Sequence, residues 1–236
     1  MDFFPLYNSL RVAGISTCVT FFTGILAAHY IAKAPRSVKG ACDCVLTLPM
    51  VLPPTVVGFF LLKAIGPLGP VGSYVLGVFG FKMTMTWYSA IFATTIVTFP
   101  LMYRTARGAF ESFDMSLVYS GQTLGLSNTY LFWRVIMPCC RGGILAGTVL
   151  AFARALGEYG ATTMVTGYIP GRTATISTTV YQLWREGNDS LAYKWVGINL
   201  AISFVVLVSA NMLEDKYKRA AGKGRGEYSD VNLREN

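Results

Sequence analysis

Long stretches without charged residues alternate along this chain with short stretches that carry Lys, Arg, Asp or Glu. Four of the uncharged stretches reach the roughly 20 residues that a helix needs to cross a bilayer. A fifth apolar stretch contains Arg154 and Glu158, and it is included because its omission would place the most basic flanking regions on opposite faces. The pattern therefore predicts five transmembrane helices, at 10–32, 44–63, 83–104, 142–165 and 195–213.

The segment 64–81 is also free of charge, but its composition does not favour a span. It is dense in Gly and Pro, with Gly66, Pro67, Gly69, Pro70, Gly72, Gly77 and Gly80. Such residues interrupt a helix before it can satisfy its own backbone hydrogen bonds, and lipid offers those groups no other partner. We therefore predict a loop at the membrane surface.

The basic residues predict how the spans are oriented. If there are five spans, three basic regions share one face: the loop after the first span, the loop between the third and fourth spans, and the tail. Their residues are Lys33, Arg36, Lys39, Arg104, Arg107, Arg134, Arg141, Lys216, Lys218, Arg219, Lys223, Arg225 and Arg234. Because cytoplasmic loops carry the excess of Lys and Arg, the N-terminus is predicted outside and the C-terminus inside.

This topology divides the chain into a transmembrane domain, residues 1–213, and a cytoplasmic tail, residues 214–236. The tail mixes Gly with charges of both signs and shows no apolar periodicity. That composition is typical of segments that do not pack, so we predict a mobile tail.

Composition indicates an all-α integral membrane protein. Of the 236 residues, 53% are hydrophobic and only 14% are charged, whereas soluble domains carry about 25% charged residues. A net charge of +8 would suggest nucleic acid in a soluble protein, but here the membrane topology accounts for it. We therefore expect membrane lipid, and no nucleic acid, among the partners.

No arrangement of residues predicts catalysis or a metal site. The chain has no Ser-His-Asp set, no paired carboxylates and no phosphate-binding Gly loop. The cysteines Cys18, Cys42, Cys44, Cys139 and Cys140 have no further Cys or His at zinc spacing, so free thiols are expected. We expect a protein that is not an enzyme and that carries no cofactor or metal of its own.

Prolines interrupt the second predicted span. Pro49, Pro53 and Pro54 each remove a backbone donor and leave carbonyl groups free about one turn earlier. In lipid, those groups need partners from protein or water. Pro53, Pro54, Thr55 and Gly58 are therefore candidates either for lining a water-filled path or for a structural kink in the core of the bundle.

Two charges lie inside the predicted span at 142–165. Arg154 and Glu158 are four residues apart, on one face of a helix. Charges at membrane depth are costly unless they are paired, so the favoured interpretation is a structural ion pair. The alternative places Arg154, Gly157 and Glu158 beside a conducting path for an anion.

The segment 119–138 carries only one charge, Arg134. It resembles the cytoplasmic "EAA" motif of ABC-importer permeases, which reads Glu-Ala-Ala, three residues, Gly, nine residues, Ile, any residue, Leu and Pro. Gly125 stands at the Gly of that motif, and Val135, Met137 and Pro138 stand at its Ile, Leu and Pro. The departure is at the start, where Tyr119-Ser120-Gly121 replaces Glu-Ala-Ala.

Further motifs extend the resemblance over nearly the whole chain. Leu48–Gly58, Thr98–Met102, Gly147–Ala161 and Ile169–Thr173 are together similar to bacterial molybdate permeases, the transmembrane subunits of a type I ABC importer. Sulfate/thiosulfate permeases share much of this pattern but are usually longer, so the short length favours molybdate or tungstate. A gradient-driven secondary oxyanion transporter is a further alternative, which inverted repeats would support.

The resemblance also implies a fold and partners. The fold would be that of a type I ABC-importer permease with a cytoplasmic coupling helix. Two copies would form the path, and a dimer of a cytoplasmic ATPase would bind ATP and Mg beneath them. An extracytoplasmic binding protein would deliver the oxyanion to this multi-pass protein of the bacterial plasma membrane.

The resemblance places the contacts with the ATPase in one region, the coupling segment (residues 115–138). The expected contact residues are Tyr119, Gly121, Thr123, Leu124, Gly125, Trp133, Arg134 and Pro138. Gly125 is expected to end or turn one short helix, Ser127 or Asn128 to cap the next, and Pro138 to stop it.

Overall fold

The computed structural model describes the backbone of residues 2–232 and the side chains of residues 2–209, 211 and 212. All regular secondary structure in that part of the chain is helical. The helices are α1 Phe4–Ala32, α2 Arg36–Val51, α3 Pro54–Ile65, α4 Pro70–Phe79, α5 Trp87–Glu111, α6 Ser116–Thr123, α7 Asn128–Leu131, a π turn Phe132–Ile136, α8 Met137–Leu156, α9 Gly160–Thr166, α10 Ile176–Arg185 and α11 Asp189–Asn232.

Helix α5 lies at the centre of the bundle and packs most extensively against α1 and α8. Met102 and Tyr103 of α5 are fully buried in the main hydrophobic core. Glycines let the neighbouring backbones approach from two sides: a Cβ at Gly24 of α1 would lie 2.8 Å from Met102 Cγ, and one at Gly147 of α8 would lie 3.1 Å from Met102 Sδ. Small residues at helix contacts allow this close approach, which stabilises bundles within lipid.

The part of the chain that the structure describes has fewer helices that are long and apolar enough to cross a membrane than the five that the sequence predicts. Within the described residues there are three, Phe4–Ala32, Asn128–Leu156 and Asp189–Ser209, and a fourth span if α2 and α3 count as one. Helix α5 covers the third predicted span but includes the buried polar residues Thr94 and Thr98. Thr98 Oγ1 donates to the carbonyl of Thr94 at 2.9 Å, so its hydroxyl is satisfied within the helix. The count of five spans stays a prediction.

Two predicted spans, 44–63 and 142–165, are not continuous helices, and their crossing of the membrane stays a prediction. Helices α2 and α3 meet at an angle of 108°. Leu52 and Pro53 are both extended there, with ψ angles of 144° and 135°, because a residue that precedes proline is driven out of the helical region. The fourth predicted span breaks between Leu156 and Gly160, where α8 ends and α9 begins.

The prediction of a loop throughout 64–81 was wrong, because Pro70–Phe79 forms helix α4. Pro70 stands in the first turn, where its missing N–H group costs nothing. The helix ends at Gly80, whose φ of +70° suits glycine. Pro70 and Gly80 mark the limits of this short helix, whereas Gly72 and Gly77 lie within it.

Helix α11 contains the fifth predicted span and continues to Asn232. The predicted tail, 214–236, therefore begins within the last part of α11. The structure describes the backbone of this part as far as residue 232 but not its side chains, and residues 233–236 lie outside the described residues. The mobility of the tail therefore stays a prediction.

The contact between Gly24 and Met102 predicts a stability effect that depends on position. We expect Gly24→Leu to lower the free energy of unfolding by about 2 kcal/mol, because the added side chain overpacks the α1–α5 contact. Gly14→Leu is the matched control, since Gly14 lies on the same helix and a Cβ there meets nothing within 4 Å. The thermal unfolding midpoint in detergent measures both. Equal losses in the two variants would contradict the packing argument.

Candidate functional site

The coupling segment forms a tight helix–turn–helix. Helix α6 ends in a Schellman motif, in which Gly125 N donates to Gln122 O at 2.9 Å and Leu126 N donates to Gly121 O at 3.1 Å. Gly125 adopts a φ of +77°, a left-handed conformation that side chains other than glycine rarely take. The Gly in this segment thus turns the chain at the end of α6.

The cap of the following helix is Ser127 rather than Asn128. The Ser127 Oγ accepts a hydrogen bond from Tyr130 N at 3.2 Å, which begins α7. The Asn128 side chain instead accepts a hydrogen bond from Gln122 Nε2 at 2.9 Å and so ties the two helices together. Sequence reasoning missed Gln122, because no local pattern shows that its amide reaches across the turn.

The start of α6 is also capped by a side chain. Asp114 Oδ1 accepts a hydrogen bond from Ser116 N at 2.9 Å. The hydrogen bond to Ser116 favours the charged carboxylate and lowers the pKa of Asp114 below its ordinary value. Asp114 was not among the residues that the sequence assigned to this segment.

One face of the coupling segment anchors it to the bundle. Val118 and Gly121 of α6 are buried, and a side chain at Gly121 would collide with Leu131, which is itself only 1% exposed. Leu131 and Val118 belong to the main hydrophobic core together with Met102 of α5. The buried face of this segment is therefore packed into the centre of the bundle.

The opposite face of the coupling segment exposes large apolar side chains. Among the residues assigned to it from the sequence, Tyr119, Leu124 and Trp133 are exposed, and Thr123 and Arg134 lie beside them at the surface. Met115, Leu117, Leu126 and Tyr130 of the same segment are also exposed. Exposed large apolar side chains mark surfaces that bind other proteins when they form a patch.

Pro138 does not stop a helix, contrary to the expectation from sequence. It lies in the first turn of α8, and residues 128–156 run on as one long helix. The π turn Phe132–Ile136 immediately precedes it, and Met137 N donates to Phe132 O there. A π turn widens the helix locally, which accommodates a proline that would otherwise clash with the preceding turn.

Helix α3, which begins at the proline break, packs against the short helix α9. A Cβ at Gly58 would lie 2.8 Å from Ala161 Cα, and one at Gly160 would lie 3.0 Å from Pro54 Cβ and 3.1 Å from Thr55 N. The two helices therefore run side by side in the same direction. The structure brings two segments that are about one hundred residues apart in sequence into contact at their breaks.

Arg154 and Glu158 form an ion pair, with 2.6 Å between Arg154 Nη1 and Glu158 Oε2. Glu158 is 3% exposed. Helix α8 ends at Leu156, so Glu158 and Gly157 lie in the break rather than on the helix that the spacing suggested. Glu158 Oε1 also accepts a hydrogen bond from Ala161 N at 2.9 Å, which satisfies a donor at the start of α9.

At the break, the first turn of α3 is hydrogen-bonded back to Pro53. The Pro53 carbonyl accepts hydrogen bonds from Val56 N at 2.9 Å and Val57 N at 3.2 Å. Helices α3 and α9 contact each other and α5, whereas α6 contacts α7 and the π turn. The candidate path residues and the coupling residues therefore form two separate sites that the long helices connect.

An ionic cluster that sequence reasoning missed ties α2 to α5. Asp43 pairs with Arg107 and accepts a hydrogen bond from the Tyr103 hydroxyl, and Glu111 pairs with Lys39. Arg107 Nε also lies 3.5 Å from Glu111 Oε1. No local signal predicts these contacts, because the partners from α2 and α5 are more than about fifty residues apart.

The described residues contain no group of three or more His, Cys, Asp and Glu that could hold a metal ion. All five cysteines are free, and Cys44 and Cys139 are exposed.

The chain is similar to known transport proteins over most of its length. Residues 21–219 match the family described as "Binding-protein-dependent transport system inner membrane component". The chain is 37% identical to the putative molybdenum transport system permease YvgM of Bacillus subtilis, over 87% of this chain and 90% of that protein. It is 36% identical to the molybdenum transport system permease ModB of Escherichia coli K12, over 91% and 94% of the two chains.

Solved structures of transporters share the fold. A bacterial ABC transporter involved in alginate import matches with a TM-score of 0.73 at 21% identity, over 90% of this chain and 78% of that chain. An inward-facing MetNI methionine ABC transporter matches with a TM-score of 0.69 at 10% identity, over 90% and 94% of the two chains. The predicted all-α fold of a type I ABC-importer permease is therefore confirmed.

These likenesses cover nearly the whole described bundle, and the assignment as a transport subunit rather than an enzyme follows from them. The chain belongs to the family of binding-protein-dependent transport system inner membrane components, the multi-pass plasma-membrane permeases of ABC importers.

Proposed function

We propose that this chain is the permease of an ATP-driven importer that moves molybdate, or tungstate, into the cell. The relatives named as molybdenum permeases support this substrate, since six of them align over 86% or more of this chain at 29–37% identity. The observation that carries the proposal is the turn at Gly125, beside which apolar side chains are exposed at the surface. The same chain is similar to these relatives over most of its length.

The exposed face of the coupling segment is the proposed docking surface for a cytoplasmic ATPase. A short amphipathic helix laid into a groove of a partner is a common recognition mode, and Tyr119, Leu124 and Trp133 supply its apolar contacts. The partner would hold ATP and Mg and would hydrolyse the nucleotide. The motion of the partner would reach the core through Leu131 and Val118.

The contact between α3 and α9 is the proposed place of the translocation path. Broken helices at membrane depth are tolerated where they line a cavity or are covered by protein, and they often mark binding sites in transporters. Pro53, Pro54, Thr55 and Gly58 lie at one break, and Gly157 and Glu158 lie at the other. An extracytoplasmic binding protein would select the oxyanion and deliver it there.

The surface of the bundle supports the proposal of a homodimer. None of the side chains of α2 is buried, and only 11% of the most apolar window of α11 is buried. A second copy would cover part of this apolar surface and would complete the wall of the path. The complex purified with its ATPase is therefore expected to contain two permease chains by native mass spectrometry.

Gly125 provides a test of coupling. We expect Gly125→Pro to reduce ATP-driven molybdate uptake by about tenfold or more in proteoliposomes that contain the ATPase and the binding protein, because proline cannot adopt a positive φ. Gly125→Asn is the matched control, since asparagine tolerates the left-handed conformation. Normal uptake by the proline variant would refute the coupling role. Uptake with an ion gradient alone would favour a secondary transporter.

A double-mutant cycle on Arg154 and Glu158 tests the ion pair. We expect Arg154→Met alone to lower the free energy of unfolding by about 2 kcal/mol, since a buried carboxylate then loses its partner and Arg154 is partly exposed. The double variant Arg154→Met/Glu158→Gln should recover part of that loss, because glutamine still accepts the Ala161 N–H group. Additive losses in detergent unfolding would show that the pair does not interact.

The proposed topology has five spans with the N-terminus outside. We expect a variant that keeps only Cys139 to react with a membrane-impermeant maleimide in inside-out vesicles and not in spheroplasts. A cysteine-free variant carrying Arg172→Cys, an exposed position on the proposed outer face, should show the reverse pattern. Labelling of both positions from the same side would overturn this orientation.

A further inference from the structure

A cavity of about 590 Å³ lies beside the coupling segment, and its lining includes Met115 and Tyr119 of that segment. Its walls come from the end of α1, the start of α2, the end of α5 and the segment that leads into α6. Phe110 and Ile136 form part of an apolar wall. The polar and charged groups of its lining are His29, Lys33, Lys39, Glu111 and Tyr119.

The Lys33 side chain is anchored at one wall of this cavity. Its Nζ lies 2.9 Å from His29 Nε2, and an ammonium group can only donate in that contact. The imidazole is itself packed between two aromatic rings, with centroid distances of 4.3 Å to Phe132 and 5.7 Å to Phe110. The remaining N–H groups of Lys33 are free to bind another acceptor, because one ammonium has three donors.

The Lys39 side chain is anchored by Glu111, which lines the same cavity. Glu111 also lies 3.5 Å from Arg107 Nε, so one carboxylate serves two cations. The lining therefore holds two lysines against a single carboxylate and keeps an excess positive charge. Tyr119 adds a neutral hydroxyl at the position where the family motif has a Glu.

We propose that this cavity binds a tetrahedral oxyanion of the phosphate type, between Lys33 and Lys39. Lysine ammonium groups bind such anions as compact point charges, and the anchoring by His29 and Glu111 reduces the entropy lost on binding. This oxyanion could come from two sources, the headgroup of an anionic phospholipid or a free anion in the cytosol. The apolar wall would accommodate the glycerol portion of a lipid, and lysines near the membrane surface attract anionic headgroups.

Titration with inorganic phosphate tests the site in the permease–ATPase complex, in phosphatidylcholine nanodiscs without nucleotide. We expect Lys33→Gln/Lys39→Gln to weaken the phosphate-dependent rise in thermal stability by about tenfold or more in apparent Kd. Phosphate that binds to the ATPase is common to all samples and cancels in this comparison. Lys33→Arg/Lys39→Arg should retain most of the affinity, which separates loss of charge from misfolding.

The matched control is Arg36→Gln, because Arg36 is exposed on the same segment but does not line the cavity. A second arm compares phosphatidylglycerol with phosphatidylcholine nanodiscs and counts retained lipids by native mass spectrometry. Loss of free phosphate binding in the double glutamine variant identifies a free anion as ligand, and loss of retained phosphatidylglycerol identifies a lipid. If the double glutamine variant matches wild type in both arms, or if Arg36→Gln weakens binding as much as the double glutamine variant does, the site does not exist.

Discussion

Backbone groups within a membrane must find partners inside the protein, and this constraint governs the two helix breaks on which the rest of the bundle depends. At one break, the Pro53 carbonyl accepts two hydrogen bonds from α3. At the other break, the Glu158 carboxylate accepts a hydrogen bond from Ala161 N. Met85 takes a positive φ of 58° and donates its N–H group to the carbonyl of Val165 at the end of α9. The two short helices α3 and α9 also pack against each other beside these breaks.

The same bundle places a rigid, exposed element far along the chain from those breaks. The Schellman motif and the Ser127 cap leave the turn between α6 and α7 little freedom, while Leu131 inserts into the core. Helix α2 is attached differently, since it has no buried residue of its own. It is joined to α5 through the Asp43–Arg107 pair and its neighbours, and its Leu46 packs against the main hydrophobic core.

Sequence reasoning succeeded where the signal is local or compositional. The paucity of charge indicated a membrane protein, and the spaced motifs indicated an ABC-importer permease, which the family match confirms. It failed at Pro70 and Pro138, because proline begins a helix as readily as it ends one, and the neighbouring backbone decides between the two. The number of spans, the orientation, the homodimer and the roles of the site residues stay predictions.

The sequence by itself indicated the class of protein from its composition and spaced motifs, the turn at Gly125 from the resemblance, and an ion pair between Arg154 and Glu158 from their spacing. The structure contains that turn and that pair, because each depends on residues that are near neighbours in the chain. Only the folded chain showed that α3 lies against α9, that Asp43 meets Arg107, and that Lys33 and Lys39 face one cavity. These contacts join residues from different helices. Their partners are chosen by packing of the whole bundle, which periodicity along the chain does not encode.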